Sequence, residues 1–129
     1  FAHDRLEAQR DPGVERRDQP RPVVQQAESD QRRVDEHGER LEQRHAAIGE
    51  VRGLGFMLAI EIVESREGKK PDAGLAQRII DAAREKGLLI IKCGVHRNVI
   101  RFLAPLVTTD SQLDEAMDML GAALADAKA

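Results

Sequence analysis

Among the side chains able to do chemistry, Arg101 is set apart by its surroundings. It is the only charge in Asn98-Val99-Ile100-Arg101-Phe102-Leu103-Ala104-Pro105-Leu106, a run otherwise made of strand and core residues. Strands alternate faces, so an outward-facing position accounts for it as readily as a function does. A planar guanidinium at such a place can also anchor a carboxylate through two parallel hydrogen bonds, which a lysine cannot do. Cys93 would need a neighbouring base to act as a nucleophile, and His96 is close in sequence. Closeness in sequence is not geometry, and a single cysteine after an apolar run reads as an inert packing residue. His3, His37, His45 and His96 have no metal-ligand spacing among themselves or with Cys93, so no metal site is expected. The five lysines (Lys69, Lys70, Lys86, Lys92 and Lys128) lie in a charged loop, at element ends or at the terminus. None has an evident buried setting that would lower its pKa for covalent chemistry. Gly53-Leu54-Gly55 suggests a phosphate loop, but the third glycine and the following helix are missing. A bulge or a close backbone approach explains those glycines better. No catalytic, cofactor-binding or metal-binding residue is therefore assigned, and Arg101 alone is a substrate-binding candidate.

The elements that must position Arg101 are legible from residue 46 onward. Val51 to Gly55 leads into the apolar run Phe56–Val63, which has strand length and composition. A charged loop from Glu64 to Lys70 precedes a helix opening at Pro71-Asp72, with an acid where the helix dipole favours it. Leu75, Ile79, Ile80 and Ala83 form its apolar stripe, and Gly87 supplies a left-handed C-cap with Leu88 folded back on Ala83. Leu88-Leu89-Ile90-Ile91 is apolar on both faces and predicts a buried strand. A turn from Gly94 to Asn98 leads to a strand over Val99–Leu103. The last helix opens on Thr109 with Gln112 three residues later, a capping-box pattern, and buries Leu113, Met117, Leu120 and Leu124. The order strand, strand, helix, strand, strand, helix predicts an α+β fold: a small, largely antiparallel sheet with helices on one face.

Residues 1–45 have a different chemistry. They are rich in Arg, Asp, Glu and Gln, contain no lysine, and carry Pro12, Pro20 and Pro22. Sparse apolar residues without a period predict a poorly ordered segment. Only residues 29–45 could make a polar helix, with Val34 and Leu41 one heptad apart and Gly38 weakening it. The interspersed acids nearly cancel the arginines, so an Arg-rich binding tail is not favoured. The lysine-free bias also fits a foreign reading frame joined to a real domain. Two segments are thus expected, 1–45 and 46–129. Over the whole 129 residues the formal charge is −3, which makes no case for nucleic acid or an anionic membrane as partner. Apolar runs fall far short of the ~20 residues that a membrane-spanning helix needs. One cysteine fits a reducing compartment, and a cytoplasmic location is expected.

Taken together, Ala47 to Gly55 with Met57 and Glu61, Lys70-Pro71-Asp72, Glu85 to Leu88, Cys93-Gly94, and Asn98 to Leu106 followed by Thr109-Asp110 resemble a known pattern. It is that of the C-terminal small domain of class-III transaminases, which depend on pyridoxal 5′-phosphate, and within them of the 4-aminobutyrate type. The resemblance runs from about Ala46 to Lys128. It implies that Arg101 matches a strand arginine that helps hold the substrate carboxylate near the cofactor. It further implies amino acid and 2-oxo acid substrates for the complete enzyme, with amino transfer from an ω-amino acid to 2-oxoglutarate, and a homodimeric parent. In that family the Schiff-base lysine, the aspartate facing the pyridine nitrogen and the phosphate-binding residues lie in a preceding large domain. The resemblance therefore implies a piece of an enzyme, inactive alone and binding no cofactor by itself. The alternative is a non-catalytic small α+β binding or interaction module.

Overall fold

The computed structural model describes residues 23–128. Helix α1 (Val23–Arg44) is followed by β1 (Ile48–Leu54), β2 (Met57–Ile62), α2 (Ala73–Glu85), β3 (Ile91–Cys93), β4 (Val99–Leu103) and α3 (Asp110–Ala127). The four strands form one sheet in the order β1-β2-β4-β3, and every pair is antiparallel. This is the expected α+β architecture.

Alternation along the two central strands decides which side is covered. Leu58, Ile60 and Ile62 of β2 and Ile100 and Phe102 of β4 are buried among α2 and α3 residues such as Ile79, Leu113 and Leu120. Their strand neighbours Met57, Arg101 and Leu103 stand exposed on the opposite face. The helices thus cover one face, and the other is open.

Local signals set the helix ends. Asp72 is the N-cap of α2 and accepts from the Leu75 amide at 2.8 Å, so it lies just before the helix and not within its first turn. At the far end Gly87, at φ 92°, donates to Arg84 O while Leu88 donates to Ala83 O. That is the Schellman pattern, and it requires a left-handed residue at this place. Thr109 and Gln112 form the capping box of α3.

Two features differ from the expectation. The strand predicted at Leu88–Ile91 is β3, Ile91–Cys93, and it sits at a sheet edge. Gly87 and Leu88 are used in closing α2, and Leu89 and Ile91 emerge 84% and 54% exposed instead of buried. The other is α1, which begins at Val23 and buries Val34 and Leu41 in the core. Gly38 lets α1 lie close against β1, since a Cβ there would lie 2.8 Å from Val51 Cγ1. The part of segment 1–45 that precedes Val23 lies outside the described residues.

Polar contacts fix α1 in place. Arg33 reaches Asp110 at 3.4 Å and Asp114 at 3.1 Å, and His37 Nε2 lies 2.9 Å from the same Asp114, joining α1 to α3. Arg66 donates to the carbonyls of Glu42, His45 and Ile48 where α1 ends. A cation at a helix C-terminus meets both unpaired carbonyls and the negative end of the dipole.

Candidate functional site

Antiparallel register arranges the open face into rows. Arg52 of β1, Ala59 of β2, Arg101 of β4 and Ile91 of β3 are successive partners across the sheet. One row away lie Glu50, Glu61, Val99 and Cys93, and on the other side Leu54, Met57 and Leu103. Arg101 and Arg52 are thus two strands apart, about 10 Å, with only the methyl group of Ala59 between them.

The two arginines differ in what they meet. Arg52 Nη1 donates to Glu50 Oε2 at 3.1 Å and to Glu61 Oε2 at 3.2 Å. Both carboxylates of the neighbouring row are therefore engaged by Arg52. Arg101 is exposed, and among the described residues its guanidinium has no hydrogen-bond or ion-pair partner. The structure places it on the outward face that strand alternation allows, with Ala59 as its register partner. The groove between α1 and β1, about 350 Å³ and reached by Arg52 at the sheet edge, and the groove between α1 and α3, about 320 Å³, are not lined by Arg101.

The remaining candidates of the sequence do not converge on a reactive centre. Cys93 is half-buried and His96 exposed, and no hydrogen bond joins them. No cluster of His, Cys, Asp or Glu among the described residues is able to hold a metal ion. None of the five lysines is buried. Lys86 pairs with Asp126 at 2.6 Å, Lys92 donates to Gln77 at 2.6 Å, and Lys70 pairs with Glu64 at 2.9 Å. The hydrogen bond to Glu64 and its charge hold the Lys70 amine above its ordinary pKa, the direction opposite to what imine formation needs. Gly53-Leu54-Gly55 closes a β-hairpin. Gly55 (φ 57°) and Phe56 form the two-residue loop, and a Cβ on Gly53 would meet Met57 O at 2.2 Å.

Two parts of this face were not singled out from the sequence. Ala59 and the Arg52–Glu50–Glu61 cluster depend on strand register, although the i, i+2 spacing of Glu50 and Arg52 already puts both on one face. Among the described residues no helix is long and apolar enough to cross a membrane.

Comparison with known proteins adds to this geometry. Over 80 residues the chain is 46% identical to the 5-aminovalerate aminotransferase DavT of Pseudomonas aeruginosa, covering 62% of this chain and 19% of that protein. Over 88 residues it is 41% identical to the 4-aminobutyrate aminotransferase GabT of Escherichia coli, covering 68% of this chain and 21% of that protein. A solved structure of a PLP-bound aminotransferase mutant from Vibrio fluvialis superposes with a TM-score of 0.67 at 30% identity, over 82% of this chain and 24% of that one. The chain spans about a fifth of the length of the curated relatives it matches. The family model described as aminotransferase class-III matches residues 18–124, most of the chain, and the chain belongs to that family.

Proposed function

We propose that this chain is the substrate-carboxylate-anchoring part of a pyridoxal-phosphate-dependent transaminase that takes ω-amino acids of the 4-aminobutyrate and 5-aminovalerate type and passes the amino group to a 2-oxo acid. The observation that carries the reading is Arg101, an unpaired guanidinium on an open sheet face beside an alanine, while the nearby carboxylates are held by Arg52. Relatives named for 4-aminobutyrate and 5-aminovalerate support the substrate class. In both compounds the carboxylate lies at the opposite end of the chain from the reacting amine. A fixed cation away from the reacting atoms is what holds such a substrate in register, and its planar fork suits a carboxylate.

The residues present do not fit the cofactor itself. An imine-forming lysine is a shielded amine of lowered pKa, and every lysine here is partly or fully exposed. When bound in such an enzyme, pyridoxal phosphate supplies the electron sink for amino transfer. This chain's contribution is orientation: Arg101 receives the carboxylate, and Ala59 leaves it room.

A chimera tests this reading, with residues 18–124 in place of the matching segment of the Escherichia coli enzyme. Arg101→Gln in it is expected to lower kcat/KM for 4-aminobutyrate about 100-fold, the loss of two charge-assisted hydrogen bonds, and to leave butylamine turnover unchanged. Retained cofactor absorbance serves as the folding control. Equal losses on the two amines would sink the anchoring role.

A further inference from the structure

The groove between α1 and α3 holds cationic side chains that the anchoring role of Arg101 does not use. On α1, Arg40 and Arg44 lie one turn apart and both line it, with His45 just beyond them. Both arginines are exposed, and among the described residues neither has a hydrogen-bond or ion-pair partner. His45 is 9% exposed. Its imidazole makes no hydrogen bond among the described residues, yet no enclosed side-chain nitrogen there lacks a partner, so the ring opens to the groove it lines. Arg44 and Lys128 add positive charge around that ring. Of the other polar groups in the lining, His37 is engaged by Asp114 at 2.9 Å, and Asp118 is exposed without a partner among the described residues. The α3 wall carries small residues, Gly121, Ala122 and Ala125, which keep the space open.

We propose that this groove is a binding site for inorganic phosphate, held as hydrogen phosphate by Arg40, Arg44 and the His45 imidazole. Like charges one turn apart oppose each other, and a buried imidazole beside two cations resists protonation. A bound anion relieves both. Guanidinium forks match phosphate oxygens in geometry as well as charge. Shape then chooses among anions. A tetrahedral anion accepts from Arg40, Arg44 and His45 on separate oxygens, whereas a planar carboxylate is filled by one fork. Asp118 narrows the choice further. Hydrogen phosphate keeps a proton that it can donate to this carboxylate, while sulfate and an ionised carboxylate only accept and are repelled by it. The site lies between two helices and is not lined by Arg101, so it does not rest on the anchoring role.

Phosphate titration of the full chain at constant ionic strength, followed by the His45 imidazole protons in NMR spectra, tests the site. Phosphate should give a saturable shift and raise the His45 pKa, because anion binding and protonation of the ring favour each other. Arg40→Gln and Arg44→Gln, at exposed positions that leave the fold intact, should each weaken binding about tenfold or more, the loss of a charge-assisted hydrogen bond. Sulfate and 2-oxoglutarate should bind more weakly than phosphate by about tenfold, and Asp118→Asn should remove the preference over sulfate. Arg101→Gln should leave phosphate binding unchanged. A His45 signal that responds to phosphate no more than to chloride makes the arginines a solvated face and overturns the site. Equal affinity of the unaltered chain for phosphate and sulfate overturns hydrogen phosphate as the occupant. Binding lost in Arg101→Gln but kept in Arg40→Gln moves the anion to the sheet face and overturns the groove.

Discussion

Asn98 shows what one buried amide does for this sheet. It is 2% exposed, and its Nδ2 donates to Ile62 O at 2.8 Å while its own carbonyl accepts from the Ile62 amide at 2.8 Å. The Ile62 carbonyl also accepts from Asp72 N at 3.1 Å, so the start of β4 and the cap of α2 meet at one oxygen. Asn98→Ala leaves that oxygen its second donor and is expected to cost about 1 kcal/mol. Asn98→Asp sets a buried acceptor against an acceptor and should cost about 3 kcal/mol or more at neutral pH. Urea unfolding of both variants checks the order, and an Asp variant as stable as the Ala variant would overturn it. The sequence marks Asn98 only as the end of a turn, because its partner lies 36 residues away. Arg101 is visible as a lone charge in an apolar strand, but the pairing that occupies its acidic neighbours is a matter of register.

At the scale of elements, the legible parts are those whose causes lie within a few residues. The Thr109–Gln112 box and the Gly87 cap each close over a span of six residues or fewer, so sequence alone locates them. Helix α1 is harder to read, because among the described residues its buried side chains and backbone are those of Val34, Gly38, Leu41 and the following His45, two of them aliphatic. Gly38 looks like a helix breaker until β1 is placed against it, with Val51 filling the space a side chain would take. The polar length of α1 disguises an element that helps close the core. Leu41→Ala is expected to lose about 2–4 kcal/mol and Val34→Ala about 1–3 kcal/mol, large fractions of a typical domain's stability. Gln43→Ala, on the exposed side of the same helix, should change it by less than about 0.5 kcal/mol. Denaturant midpoints of the three variants measure this, and a Leu41→Ala effect no larger than that of Gln43→Ala would remove α1 from the folded unit.

At the scale of the whole molecule, two titrating groups, one at the end of α1 and one on α3, give stability a definite pH dependence. His45 closes α1 and is buried. Burial first, then the charges of Lys128 and Arg44, lower its pKa below the ordinary value of about 6.5. The unfolded chain therefore binds this proton more readily than the folded one. The contribution is complete above about pH 6.5 and is lost as pH falls through the lowered folded value. Asp114 of α3 is also held below its ordinary pKa, chiefly by its hydrogen bond with His37 and then by Arg33. Its contribution is present above about pH 3.9 and is lost at more acid pH. Stability on acidification should thus fall in two stages, the first below about pH 6.5 and the second below about pH 3.9. Urea unfolding from pH 8 to pH 3 measures both. His45→Gln should flatten the first stage alone, and Asp114→Asn the second alone, because one group packs where α1 ends and the other bridges α1 to the first turns of α3. If His45→Gln left the first stage unchanged, the loss below about pH 6.5 would come from a group other than the buried imidazole at the end of α1.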